Sequence, residues 1–372
     1  MERLGGQTGR ACLRNLIDYL LLVYDMLESE MIKIAINGYG RIGRNVHRQF
    51  VEQFSNDVRV VAVNASSDAD MRAYLLRYDS LHGRFDADVR VEGDHFTVNG
   101  QPVRVVKERD PAKCPWGELG VDIVIEATGN FVTAESARGH LTAGAKKVIV
   151  TAPMKDDTPT FVKGVNDQQL TEKLDIISNA SCTTNCIAPV IKVIDESFGV
   201  ERLLVGSVHA FTASQNLLDN KPNEGKSFRR SRAATLSIIP TSTGAVKACG
   251  SIFPHLKGKL DGMAFRVPVP TVSCAYMAFS VRSATDAEAV NEVLRKAAEQ
   301  PAMQGVLSVC DEHLVSIDFM TDPHSSIVDA ISTKVVDGKG VQILSWYDNE
   351  WGYAMRVTEM ARRVAEFLPA SR

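Results

Sequence analysis

A chain of 372 residues, 45 % hydrophobic and 23 % charged, is long enough for two domains and has the composition of a soluble globular protein. Its formal net charge of −3 gives no reason to expect nucleic acid or a membrane surface as a partner. The seven cysteines are odd in number, scattered and preceded by no secretory signal, which predicts reduced thiols in a cytoplasmic protein rather than a disulfide framework. Cys182 and Cys186 lack a second Cys or His pair at zinc-site spacing, so no metal is expected.

Residues 1–30 read differently from the rest. Their apolar stretch "LIDYLLLVYDML" is 12 residues long and carries two Asp, too short and too polar to span a bilayer. Two readings stand: an extension upstream of a natural start at Met31, or an amphipathic helix docked on the surface.

From Met31 strands and helices alternate. "IKIAIN" reads as a buried strand, "GYGRIG" as a glycine turn, and "RNVHRQFVEQF" as a helix. "VRVVAVN", "DADMRAYLLRY", "VDIVIEATG", "AESARGHLTAGA" and "KKVIVTAP" continue the pattern. Repeated β–α–β units with β-branched strands predict a parallel sheet covered by helices. "VRVEGDHFTVNGQPVRVV" interrupts it with a hairpin centred on Asn99-Gly100. After Cys182, "GMAFRVPVPTVSCAYMAFSVRS", "SSIVDAISTKVV" and "VQILSWYD" read as long strands, with a "DGKG" turn joining the last two in antiparallel fashion. The expected fold class is therefore α/β: a Rossmann-type parallel-sheet domain plus an α+β catalytic domain with a largely antiparallel sheet. The expected boundaries are 31–181 for dinucleotide binding and 182–347 for catalysis and tetramerisation. Residues 348–372, ending in the helical "AMRVTEMARRVAEFL", return to the first domain.

Gly38-Tyr39-Gly40-Arg41-Ile42-Gly43 follows a strand and opens a helix, the context in which G-x-G-x-x-G binds a dinucleotide. The first glycine makes the turn, the second admits the pyrophosphate, and the third lets helix and strand pack. An acid usually stands about twenty residues on, at the tip of the second strand, where it takes the ribose 2′-hydroxyl of NAD. Here that tip is Asn64-Ala65-Ser66-Ser67. The missing carboxylate favours NADP over NAD. Asp68 is expected to cap the following helix and direct its carboxylate there.

Cys182 follows the small polar run Ser178-Asn179-Ala180-Ser181 and opens an apolar helical run. A thiol there is a nucleophile candidate, because a helix N-terminus and a nearby imidazolium lower its pKa; the other readings are half a metal site or a small core residue. His209, at the end of a later strand and followed by Thr212, Ser214 and Gln215, is the candidate partner. Cys186, one turn along, is expected in the core.

From Ile32 to about Phe367 the chain closely resembles the phosphorylating glyceraldehyde-3-phosphate dehydrogenases. It carries "INGYGRIGR", "YDSLHGRF", "SNASCTTNC", "HAFTASQ", "IIPTSTGA", "MAFRVP" and "WYDNEWGY" in family order. The resemblance implies that Cys182 attacks the aldehyde and that His209 activates the thiol and then takes the hydroxyl proton as hydride leaves. It implies that Thr212, Ser214 and Arg266 bind the substrate's C3 phosphate. Ser181, Thr183, Thr243 and Gly244 receive the attacking inorganic phosphate, with Arg232 or Arg230. It implies that Asn349 holds the nicotinamide carboxamide with Tyr353 packed nearby, and that Thr128 and Gly129 line the cofactor cleft. A homotetramer is implied, in which Lys221 and Lys226 of the loop 216–230 reach a neighbour's cofactor. Ala65 departs from the Asp of NAD-using members and resembles the NADP-preferring ones. Erythrose-4-phosphate dehydrogenase is the rival enzyme, and a non-enzymatic binding role is the alternative from another class. The intact Ser-Thr-Gly-Ala segment, Ser242 to Ala245, argues against the first. The complete Cys, His, Thr and Arg set argues against the second.

Overall fold

The computed structural model describes residues 31–221 and 227–368. The expected extension at residues 1–30, and Lys226, lie outside the described residues.

Two large sheets organise the chain. The first runs in the order Ile176–Ser178, Lys147–Val150, Ile123–Glu126, Ile32–Asn37, Val58–Asn64, Gln101–Val106, His95–Val98, Val89–Glu92. Its first six strands are parallel. All four residues of Ile123–Glu126 and of Lys147–Val150 are buried, as continuous apolar strands covered on both faces require. The strands His95–Val98 and Gln101–Val106 form the expected hairpin, with Val98 opposite Gln101. Asn99 and Gly100 both take positive φ, 49° and 79°, which matches a two-residue turn of the type that suits strand twist.

The second sheet runs Ile239–Ser242, Leu260–Val267, Val200–Ala210, Ser273–Val281, Gly340–Tyr347, Ser326–Asp329, Leu307–Cys310, with Lys334–Val336 added along Gly340–Tyr347. It is largely antiparallel, with two parallel pairs. The "DGKG" turn joins its strands as expected, with Asp337 and Gly338 at φ 51° and 63°. "SSIVDAISTKVV" is not one strand. It breaks at the turn Ala330–Ser332, where the Asp329 side chain accepts from Ser332 N.

The helix Cys182–Phe198 lies on one face of this sheet. Ile187, Val190, Ile191 and Ile194 recur at helical spacing and pack with Leu203, Val205, Met277 and Ile343. On the opposite face Leu204, Val208, Met263 and Tyr276 are exposed. The helix Trp351–Ala365 packs elsewhere. Its Tyr353, Val357, Met360 and Val364 join Ile34, Ile36, Val46, Phe50 and Ile123 in the core around the first sheet. The start of the Cys182 helix stands where the two cores meet, and Cys182 packs against both.

Candidate active site

Strands Ile32–Asn37 and Val58–Asn64 end beside the helix Arg41–Gln53. There a groove of ≈ 820 Å³ is lined by Gly38, Gly40, Asn64, Ala65, Ser66, Arg72, Lys107, Ala127, Thr128 and Phe131 among others. A Cβ at Gly38, which takes φ 97°, would sit 2.6 Å from Thr128 N, and one at Gly43 would sit 2.3 Å from Gly38 O. Only glycine permits this close packing of turn, strand and helix. A Cβ at Gly40 would meet nothing within 4 Å and would stand in the groove itself. The helix carries no side-chain cap, so its first-turn N–H groups are left for a ligand. The groove therefore has room and free N–H donors for a dinucleotide. Ile42 turns inward against the core.

Arg41 is committed elsewhere. Its guanidinium pairs with Asp79, and its Nε donates to Glu350 Oε1 at 3.0 Å. Glu350 also lies 3.2 Å from His82 Nε2. Burial works against charge at Asp79 and Glu350, but the Arg41 pairing and further hydrogen bonds hold both carboxyls below their ordinary range.

Asp68 stands at the N-cap of the helix Ala69–Arg77, yet its side chain makes no cap bond. It pairs instead with Lys107, across the mouth of the groove. Arg72 Nη2 reaches Ser66 Oγ at 3.5 Å and Nη1 donates to Tyr39 O at 3.3 Å. The expectation for Asp68 is thus corrected: a cation 39 residues away takes its carboxylate from the local N–H groups.

At the nucleophile, Ser181 caps the helix by accepting from Thr184 N at 3.1 Å. Ala180 before it takes φ 57°, and Tyr353 Oη donates to its carbonyl at 3.0 Å. This places Cys182 Sγ 3.5 Å from His209 Nε2. His209 Nδ1 lies 2.7 Å from Ala210 O and donates to it, which leaves the Nε2 lone pair facing the thiol. Arg266 Nη1 donates to the same carbonyl at 2.8 Å and stands 2.8 Å from Nδ1. Tyr347 packs edge-on against the His209 ring, and its hydroxyl joins Thr183 Oγ1 (2.8 Å) to Ser207 Oγ (3.1 Å).

Burial pushes the Cys182 thiol up, opposed by Arg266 and by hydrogen bonds from Thr183. Burial, with Arg266 adding to it, pushes His209 down to about 3. Desolvation thus opposes charge on both groups, against the pull of the helix terminus on the thiolate. Cys186 is fully buried in the core, as expected.

Thr212 Oγ1 and Ser214 Oγ lie 2.9 Å apart, on the loop that follows the His209 strand. Arg266, half-buried, faces His209 across the paired strands. Thr243 Oγ1 accepts from Ala245 N at 3.2 Å, and Gly244 opens the helix Ala245–Ile252. Thr184 Oγ1 ties that helix to the Cys182 helix by donating to Ala245 O at 3.3 Å. Of the two candidate arginines, Arg230 donates through Nε to Thr241 Oγ1 at 3.0 Å, and its charge acts on both His209 and Arg266. Arg232 is exposed and paired with Asp219 at 2.6 Å. Asn349 is buried, with Oδ1 2.8 Å from Ser273 Oγ. Lys221 is exposed on its loop. Sequence reasoning missed the bridging Tyr347, Ser273, Arg72 and Lys107; Tyr347 and Asn349 share the quoted "WYDNEWGY", which was the available signal for the first.

Two family models match the chain: the NAD binding domain of glyceraldehyde 3-phosphate dehydrogenase over residues 32–134, and its C-terminal domain over residues 181–349. Glyceraldehyde-3-phosphate dehydrogenase 2 of Bacillus subtilis (strain 168) is 50% identical over 335 residues, covering 90% of this chain and 97% of its own. Glyceraldehyde-3-phosphate dehydrogenase of Geobacillus stearothermophilus is also 50% identical, over 90% of this chain and 98% of its own. The chloroplastic glyceraldehyde-3-phosphate dehydrogenase B of Pisum sativum is 48% identical, over 91% of this chain and 75% of its own.

Proposed function

The chain belongs to the glyceraldehyde-3-phosphate dehydrogenase family of oxidoreductases, and from that premise we propose that it oxidises glyceraldehyde 3-phosphate to 1,3-bisphosphoglycerate through a Cys182 thioester, with NADP favoured over NAD. The observation that carries the reading is the Cys182 Sγ to His209 Nε2 approach of 3.5 Å at a capped helix N-terminus.

His209 Nε2 takes the thiol proton as Sγ attacks the aldehyde carbon. The His209 imidazolium returns that proton to the nascent alkoxide, which gives a hemithioacetal and a neutral ring. The ring then takes the hydroxyl proton as the thioester forms. A bound nicotinamide supplies the acceptor for the hydride lost from that carbon. Inorganic phosphate cleaves the thioester and frees Cys182. Arg266, Thr212 and Ser214 suit the substrate's own phosphate. Ser181, Thr183, Thr243, Gly244 and Arg230 suit the attacking one; Arg230 is preferred to Arg232 because Arg232 is engaged by Asp219.

The cofactor preference is supported by Ala65, by the Ser66–Arg72 contact and by Lys107 neutralising Asp68. A 2′-phosphate there meets donors and cations. An NAD ribose lacks the charge-assisted bond of a carboxylate, worth about 1.5–3 kcal/mol. The assay is phosphate-dependent reduction of each cofactor by glyceraldehyde 3-phosphate, beside erythrose 4-phosphate. We expect higher kcat/KM with NADP, reversed or erased by Ala65→Asp. A wild type favouring NAD tenfold overturns the cofactor reading, and faster turnover of erythrose 4-phosphate overturns the substrate reading.

A homotetramer completes the proposal. Its support is the apolar sheet face formed by Leu204, Val208, Met263 and Tyr276, which one copy leaves uncovered. No nucleic acid or membrane partner is proposed. Among the described residues no helix is long and apolar enough to cross a membrane.

A further inference from the structure

We propose that Ser273 is a positioning residue that fixes which end of the Asn349 amide faces the cofactor cleft, and that it ties this anchor to the strand carrying His209. The inference rests on the reading of Asn349 as the nicotinamide anchor.

Ser273 opens the strand Ser273–Val281 and is 2 % exposed. Its Oγ accepts from Ala210 N at 3.0 Å and lies 2.8 Å from Asn349 Oδ1. The backbone N–H of Ala210 can only donate, so the one hydroxyl proton of Ser273 is free for Asn349. With Oδ1 toward Ser273, both groups are satisfied. With the amide reversed, Nδ2 would donate to Oγ and the hydroxyl proton would be buried without a partner. That penalty selects the first orientation. It leaves Nδ2, which makes no hydrogen bond among the described residues, as a donor for a carbonyl oxygen such as that of nicotinamide.

The surrounding backbone reinforces the arrangement. Val272, a buried β-branched residue, takes φ 62°, where such side chains are rare. This turn delivers Ser273 between residues 210 and 349. Asp348 holds the other side: its Oδ1 accepts from Glu350 N and Trp351 N, both at 2.9 Å, and its Oδ2 from Thr321 N at 2.9 Å. The Asn349 backbone is therefore pinned by Asp348 and its side chain by Ser273. Ala210 follows His209 directly, so one hydroxyl relates the position of the nicotinamide anchor to that of the base.

The experiment is calorimetric binding of NAD and of ADP-ribose, which lacks nicotinamide, to wild type, Ser273→Ala, Ser273→Thr and Asn349→Ala, with thermal melts of each. We expect Ser273→Ala to weaken NAD about tenfold, as loss of one buried orienting bond would, while ADP-ribose stays within about twofold and Ser273→Thr recovers most of the loss. Equal weakening of both ligands shows a merely structural residue and overturns the proposal. Unchanged NAD affinity in Ser273→Ala, with loss in Asn349→Ala, overturns the role of Ser273 and spares the anchor. Unchanged affinity in both variants overturns the anchor reading and the proposal with it.

Discussion

The roles proposed for Cys182 and His209 make their protonation testable. Cys182→Ser should abolish dehydrogenase activity and leave the melting curve in place, because a hydroxyl at this position is not ionised near neutrality. Burial raises the Cys182 thiol and lowers His209 to about 3, both of which oppose an ion pair. The rate of alkylation by iodoacetamide should climb about tenfold per pH unit from 7 upward. A plateau beginning near pH 6 would reveal an ion pair instead. The residue types of this site were legible in the sequence, since a thiol after small polar residues and a histidine closing a strand are local patterns. Their protonation was not, because it depends on burial beneath segments far along the chain. Arg230 and Arg232 were indistinguishable for a similar reason: the short turn Phe228–Ser231 decides which one faces inward.

At the scale of elements, the glycine loop and the helix Trp351–Ala365 are joined through Arg41, which bridges Asp79 and Glu350. Those carboxylates are 3% and 9% exposed. Arg41→Ala strands both, and a thermal or denaturant melt should show a loss of about 2–4 kcal/mol. Arg41→Lys should recover only part, since one ammonium cannot serve two carboxylates with a planar fork. Ser181→Ala removes the cap of the Cys182 helix and should cost about 1 kcal/mol by the same measurement. Sequence periodicity found the helices and the parallel strands because their burial is regular. It misread "SSIVDAISTKVV" because the break is made by Asp329 bonding Ser332 N, a choice of one side chain rather than of a pattern. The Asp68–Lys107 pair spans 39 residues and has no local signal at all.

For the whole molecule, acid stability follows from two buried imidazoles. Burial depresses His47, bonded at 2.6 Å to the Tyr39 hydroxyl, to about 3, as it does His209. Both start from 6.5 in the unfolded chain, which therefore binds more protons between these values. Their contribution is complete above about pH 6.5 and is lost as pH falls toward 3, with a slope of up to about 1.4 kcal/mol per pH unit for each. Denaturant melts between pH 7 and 4 should show this slope, and His47→Gln should flatten it. Assembly belongs to the same scale. Light scattering should find four chains, and Leu204→Glu on the apolar face should shift the mass downward. A wild type that is a fully active monomer would remove the need for that face.

The helix Trp351–Ala365 supplies Tyr353, Val357, Met360 and Val364 to a core whose other members begin at Ile34, and Gln49 Nε2 donates to Trp351 O at 2.8 Å. A ribosome releases the first sheet well before this helix. The half of the protein made first thus lacks one wall of its interior until synthesis is nearly over, whereas the Cys182 helix and its sheet gather most of their apolar partners before then. Nascent chains halted before residue 350 should accordingly be cleaved by protease within 32–150 while the segment 182–340 resists. Quality control during translation would then act on the cofactor-binding half, the part that emerges first and closes last.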